Sequence, residues 1–136
     1  MHFAIVNQQT TPAIVLGDRD QLIMAIHNLI ENAINYSPEN TKVSISTTIE
    51  NGVIDIAITD QGIGISEAEQ DRIFERFYRV DPARSRQTGG TGLGLSIVKH
   101  VASKHGGEVK IWSVENVGST FSLRLPIYLP PMENSE

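Results

Sequence analysis

The stretch VSISTTIENGVIDIAITD, residues 43–60, decides the fold class, because polar and apolar residues alternate along it on both sides of an Asn-Gly pair. A period of two predicts half-buried β-strands, and Asn51-Gly52 is a pair preferred in two-residue type I′ turns. The stretch therefore predicts an antiparallel hairpin. The same period turns Asp60 to the side of the second strand's isoleucines, so we expect its carboxylate at the edge of the core.

Two amphipathic helices are predicted around this hairpin. Asp18 followed by Gln21 is a capping signature that predicts a helix from about 19 to 36. A second helix is predicted from about 92 to 105, where two glycines stop it. Apolar residues recur on one face of each helix: Leu22, Ala25, Ile26, Leu29, Ile30 and Ala33 in the first, and Leu95, Val98, Val101 and Ala102 in the second.

Shorter elements complete the pattern. Ser66 with Glu69 predicts a short helix from 67 to about 76, and EVKIWSV and TFSLRLPI predict a second hairpin. This order predicts an α/β (α+β) two-layer sandwich, in which helices cover one face of a mixed, mainly antiparallel sheet. We expect residues 1–9 to be linker or added residues and residues 128–136 to be a frayed tail.

The composition argues against several classes of protein. The chain of 136 residues has no cysteine, which excludes disulfides and thiolate metal sites, and its net charge of −5 argues against a nucleic-acid surface. Its apolar runs fall short of the roughly 20 residues that span a bilayer, and its first residues lack the pattern of a secretory signal. We therefore expect one globular domain that is not embedded in a membrane.

Three asparagines share the helix face opposite the apolar residues. Asn28, Asn32 and Asn35 could be solvated, which is the usual role of polar residues in that position. Asparagine is a mediocre helix former, however, and its amide oxygen suits Mg²⁺, which takes few protein ligands besides substrate phosphates. From the helix alone, the interpretation that the three asparagines are solvated surface residues is favoured.

A glycine-rich stretch, QTGGTGLGL at residues 87–95, precedes the second helix. It lacks the GK[ST] of a Walker A loop and the third glycine of a Rossmann fingerprint. Its unobstructed backbone N–H groups at a helix start could bind a phosphate, but a plain hinge explains the glycines equally well. Five of the seven arginines lie just before it, at Arg72, Arg76, Arg79, Arg84 and Arg86.

Four segments together resemble a known family. They are NLIENAINYSP (28–38), DQGIGI (60–65), FERFYR (74–79) and GGTGLGL (89–95). In this order and spacing they resemble the N, G1, F and G2 boxes of the ATP-binding catalytic domain of sensor histidine kinases. That family belongs to the Bergerat-fold (GHKL) group with gyrase, Hsp90 and MutL. The resemblance covers residues 10–127 and implies an ATP lid at about 79–94. The amino-acid sequence around this lid is similar to that of actinobacterial phosphate-responsive sensor kinases.

The resemblance implies roles for individual residues. Asp60 would accept a hydrogen bond from the adenine amine. Asn32 would be the principal Mg²⁺ ligand, with Asn28 close to the ion, and both would act in catalysis with Arg84. The other residues implied in ATP binding are Asn35, Tyr36, Gly62, Gly64, Ile65, Arg79, Gly90, Thr91, Gly92, Leu93, Gly94 and Thr120.

Two departures from the family pattern bear on the reaction. Hydrolysing relatives carry a glutamate as general base where this chain has Asn28, which favours transfer of the γ-phosphoryl group to a protein over hydrolysis. Many relatives carry a phosphate-contacting lysine where this chain has Asn35, and an amide supplies no charge. A serine kinase of the anti-sigma-factor type and a non-catalytic nucleotide sensor of the same fold are therefore the alternatives.

The acceptor histidine of this family lies in a separate dimerisation domain. None of the four histidines of this chain is followed by an acidic residue, as the family's acceptor motif requires. We therefore expect a catalytic domain, monomeric by itself, whose partners are ATP, the dimerisation and phosphoacceptor domain of its parent kinase, and indirectly a response regulator. The expected location is the cytoplasmic side of a bacterial inner-membrane sensor.

Overall fold

The computed structural model describes residues 2–7, 14–75 and 94–128. These residues form five strands and three helices. In chain order they are β1 (His2–Asn7), α1 (Arg19–Asn35), β2 (Lys42–Glu50), β3 (Val53–Asp60), α2 (Glu67–Gln70), α3 (Gly94–Lys104), β4 (Glu108–Val114) and β5 (Gly118–Pro126).

The strands form a single sheet in the order β1-β2-β3-β5-β4. β1 pairs with β2 in parallel, and every other neighbouring pair is antiparallel. Asn51 and Gly52 join β2 to β3 with φ angles of 55° and 76°, and both central residues of a type I′ turn require such positive values. The mixed, mainly antiparallel sheet and the first hairpin were both predicted correctly.

The first strand differs from the prediction of a linker over residues 1–9. Residues 2–7 pair with β2 from His2 opposite Lys42 to Asn7 opposite Thr47. Two parallel strands need a crossover connection, which α1 provides here. A parallel pairing leaves no local turn signal in the sequence. The strand over residues 2–7 is therefore recognised only from its pairing with β2 in the folded structure.

Helices α1 and α3 pack on one face of the sheet and enclose the core. α1 buries Ala25, Leu29 and Ala33, and α3 buries Val98, Val101 and Ala102. From the sheet, Ile58, Phe121 and Leu123 meet them and are also fully buried. The apolar helix faces are therefore those that the helical periodicity predicted. Of the described residues, no helix is both long and apolar enough to span a bilayer.

The helix caps differ in part from the predicted capping boxes. Asp18 accepts the Gln21 N–H at 3.1 Å, as predicted, but the N–H of Asp18 donates to His105 Nε2 at 2.9 Å rather than to Gln21. At α2, the Ser66 hydroxyl bonds the Glu69 carboxylate at 3.3 Å and accepts no backbone N–H. That helix ends at Gln70, shorter than the predicted span to about 76.

Candidate functional site

The Asp60 carboxylate lies at the end of β3 and is only 5% exposed. It points to the core side of the sheet, as the period of two predicted, and its residue pairs with Ser119 of β5. The backbone N–H groups of Gly62 and Ser119 donate to its Oδ1 at 2.8 and 3.3 Å. Among the described residues both donors reach the same oxygen, so Oδ2 is the atom that can accept a donor from a ligand.

The buried position of Asp60 affects its electrostatics. Burial raises the pKa of its carboxyl above the ordinary value of 3.8, and the hydrogen bonds from Gly62 and Ser119 offset part of that rise. Removing a charge from water is costly unless it is paired, so burial shifts the protonation equilibrium of a carboxyl group toward its neutral form. A ligand that donates a hydrogen bond to Asp60 would relieve this cost.

Two glycines hold the loop after β3 against the rest of the chain. A Cβ at Gly62 would overlap the carbonyl oxygen of Tyr36, at the end of α1. A Cβ at Gly64, whose φ is 70°, would overlap the carbonyl oxygen of Val114, at the end of β4. The sequence predicted close approach at both glycines. In the structure the approaching groups are the chain's own carbonyls, which bring α1, β3 and β4 together around Asp60.

The asparagine face of α1 turns toward the start of α3. Asn28, Asn32 and Asn35 are all partly buried, unlike Glu31, whose side chain is 53% exposed and pairs with His27. A Cβ at Gly94, the first residue of α3, would lie 3.8 Å from the Asn28 side chain. The structure therefore places the end of the glycine-rich stretch beside Asn28, about 12 Å along the helix from Tyr36, which contacts Gly62, at 1.5 Å per residue.

A hydrogen-bonded cluster behind Asp60 was not found from the sequence. The Ser113 hydroxyl accepts the N–H of Ile65 at 2.7 Å and lies 2.8 Å from the Ser119 hydroxyl. The Gln70 side chain donates to the Ile65 carbonyl at 3.0 Å. These bonds fix Ile65, which is 8% exposed, in the wall beside Asp60. The cluster joins residues 65 and 70 to Ser113, which is 48 and 43 positions away, so no local pattern reveals it.

Thr120, one of the predicted site residues, lies in β5 next to Ser119. Thr120 pairs with Thr59, and the two hydroxyls lie 2.9 Å apart on the sheet face opposite to Asp60. Ser119 is the β5 residue on the Asp60 side, and it is 5% exposed. The alternation of buried Phe121 and Leu123 with polar neighbours already carried this signal, because it turns Thr120 outward. Of these two β5 residues, Ser119 is therefore the one on the same sheet face as Asp60.

The other predicted residues divide into two groups. Asn28, Asn32, Asn35, Tyr36, Asp60, Gly62, Gly64, Ile65 and Gly94 are among the described residues, and the contacts above link Asn28 with Gly94 and Gly62 with Tyr36 and Asp60. Arg79, Arg84, Gly90, Thr91, Gly92 and Leu93 lie outside the described residues. The site thus has a buried hydrogen-bond acceptor at one end and amide oxygens beside a helix start at the other, an arrangement suited to a polar ring with phosphates attached.

Comparisons with known proteins show the family of the chain. Residues 17–129 match the family model described as histidine kinase-, DNA gyrase B-, and HSP90-like ATPase. The chain is 57% identical over 122 residues to the sensor-like histidine kinase SenX3 of Mycolicibacterium smegmatis. That alignment covers 90% of this chain and 32% of SenX3, so the chain spans about a third of this relative.

Two solved structures share the fold. The mycobacterial sensor histidine kinase MprB matches with a TM-score of 0.78 at 35% identity, covering 93% of this chain and 81% of that chain. Full-length ShkA in complex with AMPPNP also matches with a TM-score of 0.78, at 25% identity, over 93% of this chain and 25% of that chain. The chain therefore belongs to the family of histidine kinase-, DNA gyrase B- and HSP90-like ATPases, as an ATP-binding domain of the kind that sensor histidine kinases carry.

Proposed function

We propose that this chain binds Mg·ATP and, joined to the rest of its parent kinase, transfers the γ-phosphoryl group to a histidine of a separate phosphoacceptor domain. The buried Asp60 carboxylate carries the proposal, because among the described residues only its Oδ1 accepts hydrogen bonds. Adenine has a donor in its 6-amino group that suits this acceptor. The AMPPNP complex of ShkA, a structural relative, supports a nucleotide in this fold.

The phosphates would extend from Asp60 along α1 toward Gly94. Asn28 lies beside the first residue of α3, where backbone N–H groups of a helix start favour an anion. In this pose Arg79, Arg84 and the glycines from Gly90 onward would approach the phosphates from the preceding lid, as the resemblance implies.

The side chains of Asn28 and Asn32 fit a magnesium ion held jointly with phosphates. They stand one helical turn apart on the same partly buried face, and amide oxygens are hard, neutral ligands. Neutral ligands alone would hold Mg²⁺ weakly. The phosphate oxygens would therefore supply the negative charge that balances the ion. The ion's contribution would be to neutralise charge on the transferring phosphoryl group.

Transfer to a protein is favoured over hydrolysis by the chemistry of Asn28. An amide cannot take a proton from water near neutral pH, and Glu31, the nearest acidic residue of α1, points to solvent and pairs with His27. Catalysis would then rest on positioning and on charge stabilisation, with the acceptor imidazole as nucleophile. We propose the cytoplasmic face of a membrane-anchored sensor as the location, where ATP and a response regulator are available.

Radiolabelled phosphotransfer tests the proposal. The chain is mixed with [γ-³²P]ATP and with a separately expressed phosphoacceptor domain of SenX3, and the label on that domain is followed. We expect an acid-labile, base-stable label that is absent when the acceptor histidine is replaced by glutamine. Acid-stable phosphoserine would support the serine-kinase alternative instead. ATP binding without any transfer to several acceptor domains would favour the non-catalytic nucleotide sensor.

A further inference from the structure

His105 joins the end of α3 to the start of α1. Its ring Nδ1 lies 2.8 Å from the Val101 carbonyl oxygen, which can only accept, so Nδ1 carries the ring hydrogen. Nε2 is then an acceptor, and it takes the backbone N–H of Asp18 at 2.9 Å. Asp18 is the N-cap of α1, and its carboxylate accepts the Gln21 N–H. The imidazole therefore fastens the residue at which α1 begins to the last turn of α3.

The segment before α1 lies directly against this ring. A Cβ at Gly17 would overlap the His105 imidazole, so the absence of a side chain there lets the ring approach the backbone. The histidine is partly buried in this contact. The backbone at Gly17 and the hydrogen bond from the next residue, Asp18, therefore hold the imidazole in one orientation.

A second contact joins the same two helices at their other ends. A Cβ at Gly94, the first residue of α3, would lie 3.8 Å from the Asn28 side chain of α1. At 1.5 Å per residue, Asn28 is about 15 Å along α1 from Asp18, and Gly94 is about 17 Å along α3 from His105. The two helices are therefore antiparallel, with one contact at each end of the pair. The contact at Asn28 lies at the proposed phosphate end of the site.

The two contacts differ in how firmly they fix α3. Gly94 has no side chain, and its approach to Asn28 is ordinary van der Waals contact. The apolar packing of α1 and α3 in the core is non-directional, so it limits a small shift along the helix axis less strictly than a hydrogen bond does. The place of Gly94 beside Asn28 therefore depends on the directional bond between Asp18 and His105 at the far end.

We propose that His105 is a positioning residue for the phosphate end of the site, which holds the first residue of α3 beside Asn28 by fastening the helix to Asp18. The backbone N–H groups at the start of α3 then point at the ATP phosphates from a fixed position. This inference rests on the proposed binding of Mg·ATP. It extends that proposal to a histidine outside the four sequence segments that suggested the function, at the opposite end of α3 from the phosphates.

Binding of Mg·ATP and of adenosine to the whole chain tests this role, because adenosine keeps the base that Asp60 would bind but has no phosphates. Dissociation constants are measured by calorimetry for Mg·ATP and by NMR titration for adenosine. His105→Phe keeps a ring but removes both hydrogen bonds of the side chain. We expect this variant to reduce the preference for Mg·ATP over adenosine by roughly 2- to 5-fold, the effect of one anion contact at a helix start.

Two other variants separate positioning from general stability. His105→Gln can offer its amide oxygen to the Asp18 N–H, so it should keep more of the preference than His105→Phe. Ile54→Ala removes a side chain that packs against the core at the end of β3 remote from Asp60. It should lower the unfolding free energy and leave the preference for Mg·ATP over adenosine unchanged.

Spin labels measure the position of α3 itself. The chain has no cysteine, so labels can be attached to cysteines that replace Arg19 of α1 and Ser103 of α3, which are both exposed. His105→Phe should broaden the distribution of distances between the two labels. Should His105→Phe not fold, Gly17→Ala, whose methyl group displaces the ring, takes its place in both measurements with the same expected results.

An equal loss of affinity for Mg·ATP and adenosine, or no loss for either, would show that His105 is a structural support only and would overturn the inference. An unchanged distribution of label distances would overturn it as well. Absence of Mg·ATP binding in the unsubstituted chain would instead refute the proposed function.

Discussion

Replacing Asp60 by asparagine changes one oxygen for an amide nitrogen at nearly constant volume. Oδ1 would still accept from Gly62 and Ser119, which donate at 2.8 and 3.3 Å. The other position would then present N–H donors to the adenine amine, which is itself a donor. The loss of one charge-assisted hydrogen bond costs about 1.5 to 3 kcal/mol. The dissociation constant for ATP should therefore rise by roughly 12- to 150-fold.

The same substitution should not destabilise the fold. Burial raises the pKa of the Asp60 carboxyl, so its ionised form opposes folding at neutral pH. This penalty is present above the folded-state pKa and disappears as the pH falls to the ordinary value of 3.8, where both states are increasingly protonated. The asparagine variant should thus unfold at an equal or higher urea concentration than the unsubstituted chain at pH 7, and this difference should shrink toward pH 4.

Calorimetric titration with Mg·ATP and urea denaturation provide the two measurements. Asp55→Asn is the matched control, since Asp55 lies on the same strand but on the opposite face, 3.7 Å from Arg124. It should leave ATP affinity unchanged. ATP affinity of the unsubstituted chain should also fall on acidification, beginning above pH 3.8, because the neutral acid is a poorer acceptor. An unchanged affinity in the Asp60→Asn variant would remove Asp60 from the nucleotide site.

Three further substitutions test other parts of the structure. Gly62→Ala forces a methyl group into the Tyr36 carbonyl and should cost about 1 to 3 kcal/mol of unfolding free energy, measured by denaturant titration. His105→Ala removes two hydrogen bonds, from the Asp18 N–H and to the Val101 carbonyl, and should lower the unfolding free energy by roughly 1 to 3 kcal/mol. Asn32→Ala should abolish the Mg²⁺ dependence of ATP binding in calorimetric titrations with and without the ion.

Each of these substitutions has a control in the same element or its neighbour. In Gly94→Ala the added methyl group makes only ordinary van der Waals contacts, so this variant should not lower the unfolding free energy. His100→Ala removes an exposed side chain of α3 and should change the unfolding free energy by less than about 0.5 kcal/mol. Glu31→Ala, on the solvent side of α1, should keep the Mg²⁺ dependence. Equal effects in a variant and its control would contradict the contact assigned to that variant.

His105, the residue after α3, makes one local and one distant hydrogen bond through its ring. The ring Nδ1 lies 2.8 Å from the Val101 carbonyl of α3. A carbonyl only accepts, so Nδ1 carries the hydrogen and Nε2 is left as an acceptor. That acceptor meets the Asp18 N–H, 87 residues away, which is a contact that only the packing of α3 against α1 creates.

The sequence alone determined the features that depend on neighbouring residues. The alternation along 43–60, the Asn51-Gly52 turn and the two apolar helix faces were all predicted, because period and turn chemistry act within a few residues. The inward direction of Asp60 followed from the same period.

Only the tertiary structure decided which distant groups meet at the site. It paired β1 with β2, placed Ser119 rather than Thr120 beside Asp60, and joined Ser113 to Ile65. Strand register is a property of two segments, and a shift of one residue turns every side chain to the other face. Periodicity in one strand therefore indicates which residues point inward, while the packed sheet decides which of them lie together.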